Sequence, residues 1–178
     1  MPAYHSAYND DPEARQIGSM ALLPIRSKIR GPAPPPVDPS QMDIVDESID
    51  LFRANSLFRN FEIKGPADRT LIYLILFISD CLTKISSARI PMTQNEAHKQ
   101  LSTYAVDAFA LPGDANFPMN SLYAAPANRA DADALRSYLT QARQETALRL
   151  VDKVYIDGVP SKWWLAFTKR KFMGKSLS

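Results

Sequence analysis

The chain has 178 residues, a length that predicts one compact domain because domains average roughly 150 residues. Its 21 lysines and arginines nearly balance its 19 aspartates and glutamates, which excludes a polycation for nucleic acid or membranes, so any basic surface must be local. Hydrophobic residues make up 46% of the chain and exclude wholesale disorder. Only 6 glycines are present, so phosphate-binding glycine loops are scarce, whereas 14 prolines are a surplus.

Cysteine content and targeting signals indicate the cellular compartment. Cys81 is the only cysteine, which excludes an internal disulfide and a multi-cysteine metal site. The first residues carry Asp10 and Asp11 and no apolar run, so neither a signal peptide nor a transit peptide is predicted. The longest apolar run, residues 71–78, is far shorter than the roughly 20 residues that cross a bilayer. We therefore expect a soluble protein in the reducing cytoplasm, with no membrane insertion.

Residues 1–41 contain 8 of the 14 prolines, which excludes a long helix and predicts an extended Pro-rich N-terminal arm. Within it, Arg26, Lys28 and Arg30 alternate with mostly apolar side chains, a period that places the three cations on one face of an extended segment. Residues 32–39 predict a polyproline II spacer. A ligand for an SH3-type domain is the alternative, but the basic flanking residue that such ligands need is out of register.

The first two helices are predicted from apolar periodicity. Helix 1 covers about residues 43–60, and helix 2 begins at Pro66, a favourable first-turn residue, and ends near residue 86. Residues 71–78 of helix 2 have no polar face. A helix that is apolar all round must be surrounded, so we expect helix 2 at the centre of the fold.

Three further helices are predicted from capping residues. Thr93 and Glu96 form a capping box, and Asn128 and Ser161 are favourable N-cap residues. The expected helices cover about residues 93–110, 130–155 and 161–172. The predicted fold class is all-α, with about five helices, and the predicted domains are the arm at residues 1–41 and a single helical domain at residues 42–178.

The sequence shows no catalytic constellation. His5 lies in a tail predicted to be mobile, His98 lies on the polar half of helix 3, and Cys81 lies on the central helix as a small apolar group. No nucleotide-binding loop, zinc-protease motif or calcium loop is present. We therefore predict that the chain is not an enzyme and has no cofactor or metal site. An enzyme whose separated acids converge on folding stays open as an alternative.

The C-terminus combines positive charge with aromatic side chains. After Asp157 the chain has no acid, and its cations and aromatics are Lys162, Lys169, Arg170, Lys171, Lys175, Trp163, Trp164, Phe167 and Phe172. Adjacent helical residues point roughly 100° apart, so one tryptophan can face the core while the other serves as an interface anchor. Which one does so is left open. A nucleic-acid-binding module that uses phosphate contacts and base stacking is the alternative.

Nine short blocks, in order along nearly the whole chain, resemble one protein family. They are residues 1–6 (MPAYHS), 20–26 (MALLPIR), 31–34 (GPAP), 43–47 (DIVDE), 67–73 (ADRTLIY), 123–128 (YAAPAN), 143–146 (RQET), 160–164 (PSKWW) and 172–178 (FMGKSLS). Together they are similar to subunit 3, the 21-kilodalton-class subunit, of the actin-related protein 2/3 complex.

The resemblance implies a non-catalytic subunit of a seven-subunit assembly that nucleates a new actin filament as a branch on an existing one. The implied partners are the other six subunits, chiefly the larger-numbered actin-related subunit, and the actin mother filament, at the actin cytoskeleton. Bound ATP belongs to the actin-related subunits, and the implied fold is a compact set of helices around one helix.

Because actin-related proteins are acidic by family knowledge, we expect basic side chains and tryptophans to bind these partners. The predicted partner-binding residues are Arg26, Lys28, Arg30, Lys162, Trp163, Trp164, Lys169, Arg170, Lys171 and Lys175.

Overall fold

The computed structural model describes residues 3–11, 13–56, 58–168 and 170–177. In that part of the chain the α-helices are α1 (Ile44–Asn55), α2 (Pro66–Ser86), α3 (Gln94–Val106), α4 (Arg129–Val154) and α5 (Lys162–Leu165). The strands are β1 (Arg15–Ile17), β2 (Met20–Leu22), β3 (Tyr155–Ile156) and β4 (Val159–Pro160), and they form the antiparallel pairs β1–β2 and β3–β4. The protein is therefore mostly helical, but the expectation of a purely all-α fold is corrected by these two small sheets.

Helix α1 begins with a capping box, in which the carboxylates of Asp43 and Asp46 accept hydrogen bonds from each other's backbone N–H groups. The helix ends at Asn55, so the expected end near residue 60 is wrong. The reason is tertiary: the buried Asn55 amide pairs with both backbone groups of Tyr4, at 2.9 Å each. The chain turns at Ser56, whose backbone N–H still donates to the Phe52 carbonyl.

Helix α2 has the bounds that its sequence predicts, from Pro66 to Ser86. Every side chain of residues 71–78 is buried. The helix packs against α1 and α4 as well as against β2, so its apolar surface contacts protein on several sides. No helix among the described residues is both long enough and apolar enough to cross a bilayer.

Helices α3 and α4 pack against each other. The predicted caps are confirmed, since Thr93 and Glu96 form the capping box of α3 and the Asn128 side chain accepts from the Asp131 N–H of α4. Helix α3 ends at Val106, about one turn before the predicted end. The side chain of Arg143 donates to the carbonyls of Tyr104 and Ala105 and so satisfies the last turn of α3.

Part of the Pro-rich N-terminal region contributes to the hydrophobic core. Strand β2 is buried, and Leu23 and Ile25 after it are buried too. The backbone N–H of Ile25 donates to the Pro34 carbonyl, which folds residues 25–34 into a loop. Gln141 on α4 binds this loop by accepting from the Ala33 N–H and donating to the Ile29 carbonyl.

The C-terminal segment forms far less helix than its sequence predicts. The expected helix to residue 172 is wrong, because α5 ends at Leu165 and the Ser161 side chain makes no capping bond. Residues Phe172–Gly174 form a single 3₁₀ turn. Tertiary contacts determine this path: the Met173 N–H donates to the Phe58 carbonyl, and Phe172 packs edge-on against Phe61.

Candidate partner-binding surfaces

The two adjacent tryptophans have different environments. Trp164 is 7% exposed and lies nearly parallel to Phe52 of α1, whereas Trp163 is 62% exposed. The guanidinium of Arg53 lies over both indole rings, with centroid distances of 4.9 Å to Trp163 and 4.8 Å to Trp164. Trp163 is thus a large side chain that is held in place by a cation and by Phe167 but remains available to a partner.

A groove of about 690 Å³ lies between the end of α1 and the C-terminal segment. We call it the C-terminal basic groove, and its lining residues are Ser56, Phe58, Arg59, Arg170, Lys171, Met173 and Gly174. Its charged lining residues are all cations, and Arg170 and Lys171 are exposed. Apolar atoms of Phe58 and Met173 lie among these cations, an arrangement that suits an acidic protein surface with apolar side chains.

The other cations predicted for the C-terminus, Lys162, Lys169 and Lys175, lie before and after the groove residues Arg170 and Lys171 in the sequence. Lys162 and Lys175 are exposed. Neither forms an ion pair with another described residue. Lys169 lies outside the described residues.

The three cations of the N-terminal region are exposed, whereas Ile25 directly before them is buried and Ser27 and Ile29 between them are half-buried. Arg26 is nevertheless occupied within the chain, because it forms an ion pair with Asp46 at 2.8 Å and donates to the Gln41 carbonyl. Lys28 and Arg30 make no ion pair with the described residues and remain available to a partner.

Arg149 joins this N-terminal region to two helices. Its guanidinium contacts Asp43 at 2.7 Å, Asp46 at 3.0 Å and Glu145 at 2.9 Å, and it also donates to the Arg26 carbonyl. Burial acts to raise the pKa of Asp43. Hydrogen bonds from Arg149 and from two backbone N–H groups outweigh the burial and hold that pKa below its ordinary value. The cluster therefore fixes the base of the segment that carries Lys28 and Arg30.

His5, His98 and Cys81, the side chains considered above for catalysis, are paired or buried within the fold. His5 is held rather than mobile, because its ring nitrogen lies 2.7 Å from the buried carboxylate of Asp68. His98 pairs with Asp152 at 2.9 Å. Cys81 is buried as expected, and burial raises the pKa of its thiol. The described residues contain no group of three or more histidines, cysteines or acids that could hold a metal ion.

Comparison with known proteins decides the family. The family described as the ARP2/3 complex ARPC3 (21 kDa) subunit matches residues 1–177. Two curated relatives, each named actin-related protein 2/3 complex subunit 3, are 52% identical over 99% of this chain and 100% of their own length. They come from Schizosaccharomyces pombe and Saccharomyces cerevisiae. A relative of the same name from Dictyostelium discoideum is 45% identical over 98% of the chain.

The chain belongs to the family of the 21 kDa subunit of the ARP2/3 complex. The resemblance given by the nine sequence blocks is therefore confirmed. None of the compared names describes a nucleic-acid-binding protein, so the alternative function drawn from the basic C-terminus has no support in these matches.

In this member of the 21 kDa subunit family, sequence reasoning missed two arginines of the C-terminal surface. Arg53 contacts both tryptophans, and Arg59 lines the C-terminal basic groove. Both lie more than 100 positions before the C-terminal residues of that surface. In the sequence they are ordinary polar residues at the end of an amphipathic helix, so only the packing of α1 against the C-terminus identifies them.

Proposed function

We propose that this chain is a non-catalytic structural subunit of the actin-related protein 2/3 complex that supports nucleation of branched actin filaments through protein–protein contacts. Its partners are the other six subunits, chiefly the larger-numbered actin-related subunit, and the actin mother filament. It acts in the cytoplasm, at the actin cytoskeleton.

The observation that carries the proposal is the family match over residues 1–177, nearly the entire chain. The surface chemistry supports it. An exposed tryptophan such as Trp163 is a typical interface anchor, because a large aromatic side chain loses much water-exposed area on binding. Nearby cations steer an acidic partner to the surface and fix its orientation.

The two cationic regions give the chain two docking surfaces in this proposal. One comprises Trp163, Lys162, Lys175 and the C-terminal basic groove. The other comprises Lys28 and Arg30, with Arg26 acting through its ion pair to Asp46 to hold the segment in place. One surface binds the actin-related subunit and the other binds the mother filament.

Copurification tests the proposal most simply. The full-length chain with an affinity tag, expressed in cells that assemble the complex, should recover six further proteins, two of them actin-related, in equal amounts. Recovery of none of these six would contradict the proposal. A salt-sensitive shift of single-stranded nucleic acid by the purified chain, without those partners, would instead favour a nucleic-acid-binding function.

A further inference from the structure

Arg143 is a buried cation with an unusual set of neighbours. It is 2% exposed. The distance from its guanidinium carbon to the ring centroid is 4.6 Å for Phe77 and 4.4 Å for Phe109. Its side chain donates to the carbonyls of Ala105 and Tyr104, at 3.0 Å each. No carboxylate of the described residues forms an ion pair with it. Aromatic rings and helix-end carbonyls thus provide its stabilisation in place of a carboxylate.

Some hydrogen-bond donors at this arginine are not used by acceptors among the described residues. A guanidinium has five N–H groups, and Arg143 makes three hydrogen bonds to described residues, the third to the Tyr73 hydroxyl at 3.2 Å. Tyr73 accepts that bond, but its own O–H donates to no acceptor among the described residues. Burial raises the pKa of Tyr73, which keeps this O–H protonated. Unused donors in a buried place favour a ligand that only accepts hydrogen bonds.

A cavity of about 170 Å³ borders these donors. We call it the arginine pocket, and its lining residues are Tyr73, Tyr104, Ala108, Phe109, Ala110, Asn116, Phe117, Pro118, Arg143 and Leu177. The inner side chains Tyr73 and Arg143 are buried, whereas Ala108 and Asn116 are exposed at the mouth. Arg136 adds a second positive charge outside Phe109, to whose carbonyl it donates at 2.9 Å.

We propose that the arginine pocket binds an oxyanion, and that its occupant in the assembled protein is the carboxylate of an acidic side chain on a neighbouring subunit. A planar carboxylate matches the planar donor fork of a guanidinium. The apolar walls formed by Phe109 and Pro118 suit the methylene groups that carry a side-chain carboxylate. The anion site stands independently of the proposed function, whereas the identity of its occupant rests on that function.

Titration of the full-length chain tests the anion site. The Nε–H signal of Arg143 is followed by nuclear magnetic resonance while sodium acetate, inorganic phosphate or sodium chloride is added at constant ionic strength. We expect a saturable shift with acetate and none with chloride. Tyr73→Phe removes one donor but keeps the ring, and should weaken acetate binding about fivefold. The exposed Tyr4→Phe is the control and should change nothing.

Three results would overturn the anion site or its preference for a side-chain carboxylate. A shift that does not saturate, or that chloride reproduces, would mean that the pocket holds solvent only. An unchanged acetate affinity in Tyr73→Phe would mean that the anion binds elsewhere. Phosphate binding tenfold tighter than acetate would mean that a free oxyanion, and not a side-chain carboxylate, is the ligand.

Assembly tests the occupant. Ala108→Trp blocks the exposed mouth without touching Arg143, and should abolish the acetate response and reduce recovery of the chain with the complex at least fivefold. Ala127→Trp, at another exposed alanine, is the control and should assemble normally. Normal assembly of Ala108→Trp despite loss of acetate binding would overturn the proposed occupant. Failure of the unmodified chain to assemble would instead contradict the proposed function.

Discussion

The adjacent residues Trp163 and Trp164 differ in their environment: one is exposed and the other is buried in the core. Trp164 packs against Phe52 in the core, and Trp163 lies outside it above Arg53. Removal of a buried tryptophan leaves a large cavity, so Trp164→Ala should lower the free energy of unfolding by about 3–5 kcal/mol. Trp163→Ala should lower it by less than about 1 kcal/mol, because only surface contacts are lost. Urea denaturation of the two variants measures both values.

The partner-binding effect of the same substitutions should be different. Trp163→Ala should weaken binding to the complex by about 2 kcal/mol or more if the residue is an interface anchor, while the chain stays folded. The conservative Trp163→Phe is the matched control and should retain part of the affinity. Equal loss of folding stability in the two alanine variants would refute the assignment of Trp164 to the core and Trp163 to the interface.

Asp43 provides a pH-dependent test of the Arg149 cluster. Asparagine caps a helix about as well as aspartate, so Asp43→Asn isolates the charge that contacts Arg149. We expect a loss of about 2 kcal/mol of stability at pH 7, the contribution of hydrogen bonds to a charged group.

The sign of the pH dependence follows from the lowered pKa of Asp43 in the folded state, where hydrogen bonds from Arg149 and the backbone outweigh burial. The stabilisation by the ionised carboxylate is complete above the unfolded pKa of roughly 3.9 and is lost as the pH falls through the lower folded value. The difference between wild type and Asp43→Asn should therefore shrink below about pH 4. A difference that grows on acidification, in denaturation curves from pH 7 to pH 2, would contradict this account.

At the scale of whole elements, helix starts were predictable from sequence, whereas the ends of α1, α3 and α5 were not. A start depends on a local cap, such as Thr93 with Glu96 or Asn128, and each is readable within four residues. The ends of α1 and α3 depend on Asn55 binding Tyr4 and on Arg143 binding Tyr104, contacts between residues far apart in the chain. Periodicity contains no information about such contacts.

The structure of the N-terminal segment was also only partly predictable from the sequence. Its prolines predicted an extended arm, and its alternation predicted the outward cations, but no pattern indicated that Leu23 is buried against Tyr138 of α4. The Tyr138 hydroxyl accepts from the Leu23 N–H at 2.9 Å and donates to the Leu23 carbonyl at 2.8 Å. One side chain thus satisfies both backbone groups of a buried residue.

Removal of that hydroxyl should loosen the segment. Tyr138→Phe leaves two buried backbone groups without partners, so we expect a loss of about 2–4 kcal/mol in the free energy of unfolding. Hydrogen exchange of the Leu23 amide should accelerate in the same variant. The exposed Tyr4→Phe is the control. Unchanged exchange at Leu23 would show that the hydroxyl does not hold the segment.

For the whole molecule, the formal net charge of +2 does not show that cations are concentrated at the surfaces proposed for binding. Sequence indicated the cations of the C-terminus, but the C-terminal basic groove forms only when Arg59 of the α1–α2 connection lies beside Arg170 and Lys171. The proposed groove therefore follows from tertiary structure, whereas the aromatic and basic composition of the terminus was evident beforehand.

Charge reversal in this groove is the most direct test of the central claim. Complex reconstituted with Arg170→Glu and Lys171→Glu should form at least fivefold fewer filament branches than wild type, and the deficit should narrow as salt screens the wild-type attraction. Circular dichroism of the isolated chain should be unchanged. The exposed pair Arg89→Glu and Lys99→Glu carries the same charge change outside both proposed surfaces and should branch normally. Normal branch density with the reversed groove would contradict the account.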